Sequence, residues 1–141
     1  MAPRISIVMP VKNGVARIAR AIESFKSQSW LNKELIVVDG MSSDGTDAVI
    51  ARYADAVSIS IREPDASATH ALNRGAAAAS GDVIGVLMSD DWLEPDALTH
   101  VGRAFADAPD IGVLSGGVRV VDDSPDTEPG ASSGPIVEVS A

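Results

Sequence analysis

Apolar and polar positions fall into blocks along this chain, and the period changes from block to block. Residues 5–9 (ISIVM) are an almost unbroken apolar run closed by Pro10, as expected of a strand buried in a sheet. VKNG follows as a turn, punctuated by Asn13-Gly14. From Val15 onward, Ile18, Ala19, Ile22 and Phe25 recur at helical spacing, which predicts a helix ending near residues 28–32 with one apolar stripe against the sheet. Residues 34–38 (ELIVV) predict a second strand, with Asp39 at its carboxyl end. A Gly/Ser/Asp-rich turn (GMSSDGT) leads to a helix over 47–53, which Thr46 or Asp44 is placed to cap. Residues 57–61 predict a short third strand, REPDAS a loop, and residues 68–79 a helix of small residues.

The run VIGVLMSDD, residues 83–91, organises the rest. Five of its first six residues are apolar and two aspartates close it, which suits a central strand buried on both faces of a parallel sheet. A helix over 92–106 follows, with Pro95 near its first turn. Residues 111–121 predict one more strand, bent at Gly116-Gly117. Helices between successive strands imply a three-layer α/β/α domain with a mostly parallel sheet over residues 1–121. Residues 122–141 turn polar and rich in Pro and Ser, a tail in which IVEV (136–139) offers one short edge strand. An unfinished sheet edge leaves room for a second copy of the chain, a homodimer.

With 141 residues, 45% of them hydrophobic, the chain can bury one sizeable core. No apolar run approaches a membrane span, and the opening MAPRISIVMPVKNG lacks the layout of a signal peptide, so neither an export nor a spanning segment is expected. The absence of cysteine excludes disulfides and thiolate chemistry and fits a reducing, cytoplasmic compartment. The net charge of −9 is lopsided: residues 1–80 carry +1 and residues 81–141 carry −10. Such a balance argues against nucleic acid as a partner, which needs clustered Lys and Arg. It admits an anionic ligand only where a metal or backbone amides offset the repulsion.

Ligands of open α/β sheets bind beyond the carboxyl ends of the strands. Asp90 and Asp91 belong at that mouth, where adjacent carboxylates repel unless donors or a hard divalent ion intervene. The competing role is the capping of the next helix, near Pro95. Asp39 occupies the same kind of place on another strand; it suits either the ring N–H of a bound base or an Asx-turn that orients its own loop. SSDGT is a weak phosphate signal. Trp30, His70 and His100 suit packing or surface positions. The chain has no phosphate loop, no GxGxxG after its first strand and no GxSxG elbow, so the signatures of ATPases, dinucleotide binders and serine hydrolases are missing. A phospho-receiver domain expects acids after the first strand, where Pro10 and Lys12 stand.

In order and spacing, ISIVMPVKNG, ELIVVDGMSSDGT, EPD followed by ALNRG, and SGDVIGVLMSDDWLEPDAL resemble family 2 glycosyltransferases of the GT-A fold. The resemblance runs from residue 5 to residue 121. It implies an inverting transfer of sugar from a nucleotide diphospho-sugar, a UDP- or GDP-sugar, to a glycan or lipid-linked acceptor. The EPD at Glu63 to Asp65 resembles a subgroup that makes bacterial surface polysaccharides, which implies a cytoplasmic protein, at most peripheral at the inner membrane. By the same resemblance Pro10, Val11 and Asn13 line the nucleotide pocket, Asp39 contacts the base, and Asp65 and Asn73 belong to segments around the donor. Asp90 reaches the ribose, and Asp91 holds Mg2+ or Mn2+. Met88, Gly40-Met41 and Thr69-His70 depart from residues common in relatives at those places. Inverting transfer also needs a general base; the resemblance puts it beyond the metal motif, and no residue here is assigned that role. A second implied function is a truncated or degenerate nucleotide-sugar-binding module with no transferase activity of its own.

Overall fold

The computed structural model describes residues 2–121. The chain up to Pro109 forms one compact unit, and residues 110–121 belong to a second. The first unit is built on four parallel strands, β1 (Ile5–Val11), β2 (Lys33–Asp39), β3 (Ile59–Arg62) and β4 (Val83–Val86), in the order β3-β2-β1-β4. Parallel neighbours need crossovers, supplied by α1 (Ile18–Lys26), α2 (Thr46–Arg52) and α3 (Ala68–Ala78). A last helix, α4 (Ala97–Asp107), follows β4.

Strand side chains alternate between faces, so β1 and β2 feed two cores. Ile5, Ile7, Met9 and Val11 join Leu35 and Val37 against Ile18, Ala21, Ile22 and Phe25 of α1, Val49 and Ile50 of α2, and Leu98 of α4. Val8, Ile36 and Val38 face the other way, against Ala71 of α3. Burying one such side chain is worth about 1.5–3 kcal/mol over leaving it exposed. The three-layer α/β/α architecture is therefore as the periodicity predicts. On the α3 side the packing is close because Gly75 has no side chain: a β-carbon there would stand 2.2 Å from Val8 Cγ1. Trp30 is a packing residue, its ring against Gly102 of α4 and its Nε1–H donated to the Pro3 carbonyl at 3.1 Å.

At the amino ends of the strands lies a buried polar knot that the apolar pattern does not foretell. Glu34 is 3% exposed. Its carboxylate accepts Ser6 Oγ–H at 2.6 Å, Ser80 N–H at 2.7 Å, Ser80 Oγ–H at 3.0 Å and Arg4 Nη2–H at 2.9 Å. Burial alone would raise its pKa, but these donors outweigh burial and bring it down to about 2.

Three expectations need correction. The first concerns β4, which is not central among the described strands. Among the described residues it pairs with β1 alone and stands at the edge of the sheet, with Ile84 50% and Val86 54% exposed. An apolar run reports that side chains favour burial, and says nothing of the strand's place in the order. Val83 faces the core of α1 and α4, whereas Ile84 and Val86 share the Val8 face, where α3 packs over β1 and β2. Second, the helix predicted over 92–106 begins only at Ala97. Pro95 disfavours a helical residue before it, and Asp96 sits at φ 62°, outside helical geometry. Third, residues 111–121 form no regular strand. Val113, Val118 and Val120 are exposed, and no atom lies within 4 Å of where a β-carbon would stand at Gly112 or Gly116, so among the described residues these side chains gain little cover. The proposed edge strand at 136–139 and the tail lie outside the described residues. No helix among the described residues is long and apolar enough to cross a membrane.

Candidate functional site

The carboxyl ends of β1 and β4 and the start of α3 enclose a cleft of about 550 Å³. Pro10, Val11 and Asn13 line it from the β1 end, Asp65 from the β3–α3 loop, and Met88 and Asp90 from the chain after β4. Lys12 and Arg17 also line it, so two cations stand in the same cleft as the carboxylates of Asp65 and Asp90.

The two loops beside this cleft are tied to each other. Asn13 N–H is donated to Ser42 Oγ at 2.8 Å, and Asn13 Oδ1 accepts Ser43 N–H at 2.9 Å. Gly14 N–H reaches Thr46 Oγ1 at 3.0 Å, and Val15 N–H reaches Asp44 Oδ2 at 3.1 Å. Asn13 sits at φ 53°, a left-handed conformation that asparagine tolerates better than most residues. Asp44 also accepts Thr46 N–H at 3.0 Å at the start of α2, but neither Asp44 nor Thr46 is the N-cap, which is Gly45 with no side-chain cap bond; the Thr46 hydroxyl holds the Asp44 carboxyl below the usual carboxylate range.

Asp39 lies behind these loops rather than in the cleft lining, and is 1% exposed. Its Oδ1 accepts Ser42 N–H at 3.0 Å and the Ser42 hydroxyl, and its Oδ2 pairs with Arg62 Nη1. Arg62 Nη2 is donated in turn to the Ser42 carbonyl at 2.9 Å. Asp39 thus holds Ser42, and Ser42 holds the backbone of Asn13, which is the loop-orienting role open to an Asp at a strand end.

The EPD and ALNRG segments are likewise bound to each other. Arg74 Nε and Nη2 reach the two oxygens of Glu63 at 2.6 and 3.4 Å, and this pair holds the Glu63 carboxyl below its usual range. Asp65, two residues on, lines the cleft. Asn73 is exposed on α3 and is not among the lining residues, although Ala71 is. His70 and His100 are both exposed.

Asp90 and Asp91 stand on a turn closed by Asp91 N–H to the Met88 carbonyl at 3.1 Å, and both are exposed. Neither caps α4, whose N-cap is Asp96. No three acidic or histidine side chains converge on a common point among the described residues. Two exposed neighbouring carboxylates do fit a hard cation that takes its other ligands from phosphate and water. Of the expected site residues, then, Pro10, Val11, Asn13, Asp65 and Asp90 share one cleft, Asp91 adjoins Asp90, and Asp39 and Asn73 stand outside the lining. Sequence reasoning passed over Arg62 and Arg17, gave Ser42 only as part of the weak SSDGT phosphate signal, and reached Lys12 only within the stretch 10–13 that the resemblance assigns to the nucleotide pocket.

A parallel α/β sheet with a cleft at its carboxyl ends, lined from these loops, places the fold in the GT-A class of nucleotide-diphospho-sugar transferases. The chain belongs to glycosyl transferase family 2, whose family model matches residues 6–135. It is 36% identical over 113 residues to the succinoglycan biosynthesis protein ExoO of Rhizobium meliloti, covering 79% of this chain and 32% of ExoO. It is 35% identical over 117 residues to the O-antigen biosynthesis protein RfbC of Myxococcus xanthus, covering 79% of this chain and 9% of RfbC. In fold it is similar to the mannosyltransferase PcManGT from Pyrobaculum calidifontis in complex with GDP-Man and Mn2+, with a TM-score of 0.68 at 24% identity over 77% of this chain and 34% of that one. TarS 1-349 of S. aureus in complex with UDP-GlcNAc gives a TM-score of 0.67 at 18% identity over 84% and 40%. The chain spans about a third of the length of the first curated relatives it matches.

Proposed function

We propose that this chain is the donor-binding part of an inverting glycosyltransferase that takes a sugar from a UDP- or GDP-sugar for a bacterial surface polysaccharide. One observation carries the proposal: Pro10, Val11, Asn13, Asp65 and Asp90, drawn from three separated segments, line a single cleft. In this reading Pro10, Val11 and Asn13 seat the nucleoside, and Asp90 reaches the ribose from the opposite wall. Asp39 serves the base site through the Asp39–Ser42–Asn13 relay, and Asn73 belongs to the helix bordering the donor. Lys12 and Arg17 face the anionic diphosphate. Asp91 takes Mg2+ or Mn2+. Bound there, the ion supplies Lewis-acid stabilisation of the charge that grows on the departing nucleoside diphosphate. The chain's own contribution is to orient the donor and to hold carboxylates at fixed positions around it.

The test is calorimetric titration of the full chain with UDP, GDP and their sugars, with and without Mn2+, on wild type and Asp91→Ala. Metal-dependent binding lost in Asp91→Ala supports the proposal; absence of all nucleotide binding by a folded wild type overturns it. Donor hydrolysis by the wild type then separates a transferase from a module that only binds.

A further inference from the structure

The segment joining β4 to α4 carries both Asp90 and Asp91, yet it has little structure of its own. One turn bond closes at Asp91, and a second, Ala97 N–H to the Glu94 carbonyl at 3.2 Å, closes at the start of α4. Most of the remaining order comes from α1. Arg20, Ser24 and Gln28, the last just past the end of α1, are spaced four apart and so lie along one side of the helix. Each engages a successive part of the segment. The Arg20 guanidinium lies 4.0 Å above the centre of the Trp92 ring and donates Nη2–H to the Asp90 carbonyl at 3.4 Å. Ser24 Oγ accepts Leu93 N–H at 3.0 Å. Gln28, which is buried, donates Nε2–H to the Glu94 carbonyl at 2.9 Å and accepts Leu98 N–H at 3.0 Å. The order along the helix matches the order along the segment, so α1 acts as a splint.

The three rungs differ in kind. Ser24 and Gln28 are neutral and serve backbone groups that otherwise lack partners at an irregular helix entry. Arg20 alone is charged, and it lies at the end of the row that meets the backbone of the turn carrying the two adjacent carboxylates, through the Asp90 carbonyl. It also clamps the turn from two sides, by its stack on Trp92 and its bond to the Asp90 carbonyl. We propose that Arg20 is a positioning residue that holds the Asp90–Asp91 turn in the orientation that receives a divalent cation. The proposal rests on the reading of the cleft as a nucleotide and cation site.

The experiment compares wild type, Arg20→Met, which keeps an apolar chain against Trp92 without the charge, and Arg20→Lys, which restores a cation. Free Mn2+ is counted by electron paramagnetic resonance in the presence of UDP or GDP, and amide hydrogen exchange is followed without ligand. Arg20→Met is expected to weaken Mn2+ uptake about tenfold, within the range for groups that orient metal ligands. Metal-free nucleotide binding and melting temperature stay near wild type, exchange at Asp91 N–H accelerates, and Arg20→Lys recovers most of the loss. Mn2+ uptake by Arg20→Met equal to wild type overturns the proposal. So does a loss that only tracks a lower melting temperature. A wild type that takes up no Mn2+ sinks the reading of the cleft; the exchange arm then stands alone, and unchanged exchange at Asp91 in Arg20→Met overturns the positioning role as well.

Discussion

The carboxylate of Asp65 rests on the bare α-carbon of Gly40: a β-carbon at Gly40 would stand 2.2 Å from Asp65 Oδ2 and 2.7 Å from Cγ. Two loops that leave different strands therefore meet with no room for a methyl group. Gly40→Ala is expected to push Asp65 from its place in the cleft wall, since a flexible side chain gives way more readily than backbone. Nucleotide affinity should fall several-fold while the melting temperature moves by only a few degrees. Paired calorimetry and thermal unfolding check this, and a large loss of stability with unchanged affinity would contradict it.

Glu34 makes stability depend on acid. Its folded pKa of about 2 lies below the ordinary 4.5, so the ionised group favours the folded state above pH 4.5. That contribution, on the order of 3 kcal/mol, disappears as the pH falls from 4.5 toward 2. Glu34→Gln should lower stability at neutral pH and flatten the pH dependence across that window. Urea unfolding of both proteins from pH 2 to 7 is the measurement; parallel curves would refute the assignment.

Gly75→Ala places a methyl group 2.2 Å from Val8 Cγ1, against a fully buried strand. Overpacking of this kind costs about 1–3 kcal/mol. Since α3 also borders the cleft, the substitution should reduce stability and nucleotide affinity together.

Arg74 and Glu63 form a partly exposed pair, with side-chain exposures of 45% and 32%. Exposed ion pairs are worth about 0–1 kcal/mol. Arg74→Ala is expected to change the unfolding free energy by less than about 1 kcal/mol, and high salt should erase the difference.

Much of the fold was legible because the same residues that form each element also bury it. The row Ile18, Ile22, Phe25 both makes α1 and faces the sheet, and ISIVM is apolar because both faces of β1 are covered. The place of β4 was not legible: a run such as VIGV states a need for cover and not which neighbour provides it. In the site, the residues that meet at one sheet end were legible as motifs, but their division of labour was not. Asp39 reads either as a base-facing acid or as a loop-orienting one, and its oxygens are engaged by Ser42 and Arg62, one contact local and the other 23 residues away. Gln28 and Glu34 escaped notice because a polar residue at the end of an apolar stripe looks like solvent-facing punctuation, whereas each satisfies backbone donors of a distant segment.

The Glu34 knot and the cleft lie at opposite ends of β1, whose seven residues separate them by roughly 20 Å. Substitutions that far apart with no shared partner add nearly independently. Stability anchored at the amino ends of the strands thus leaves the loops at the other end free to vary, so that residues at the mouth of the cleft can change while the frame that carries them is inherited intact.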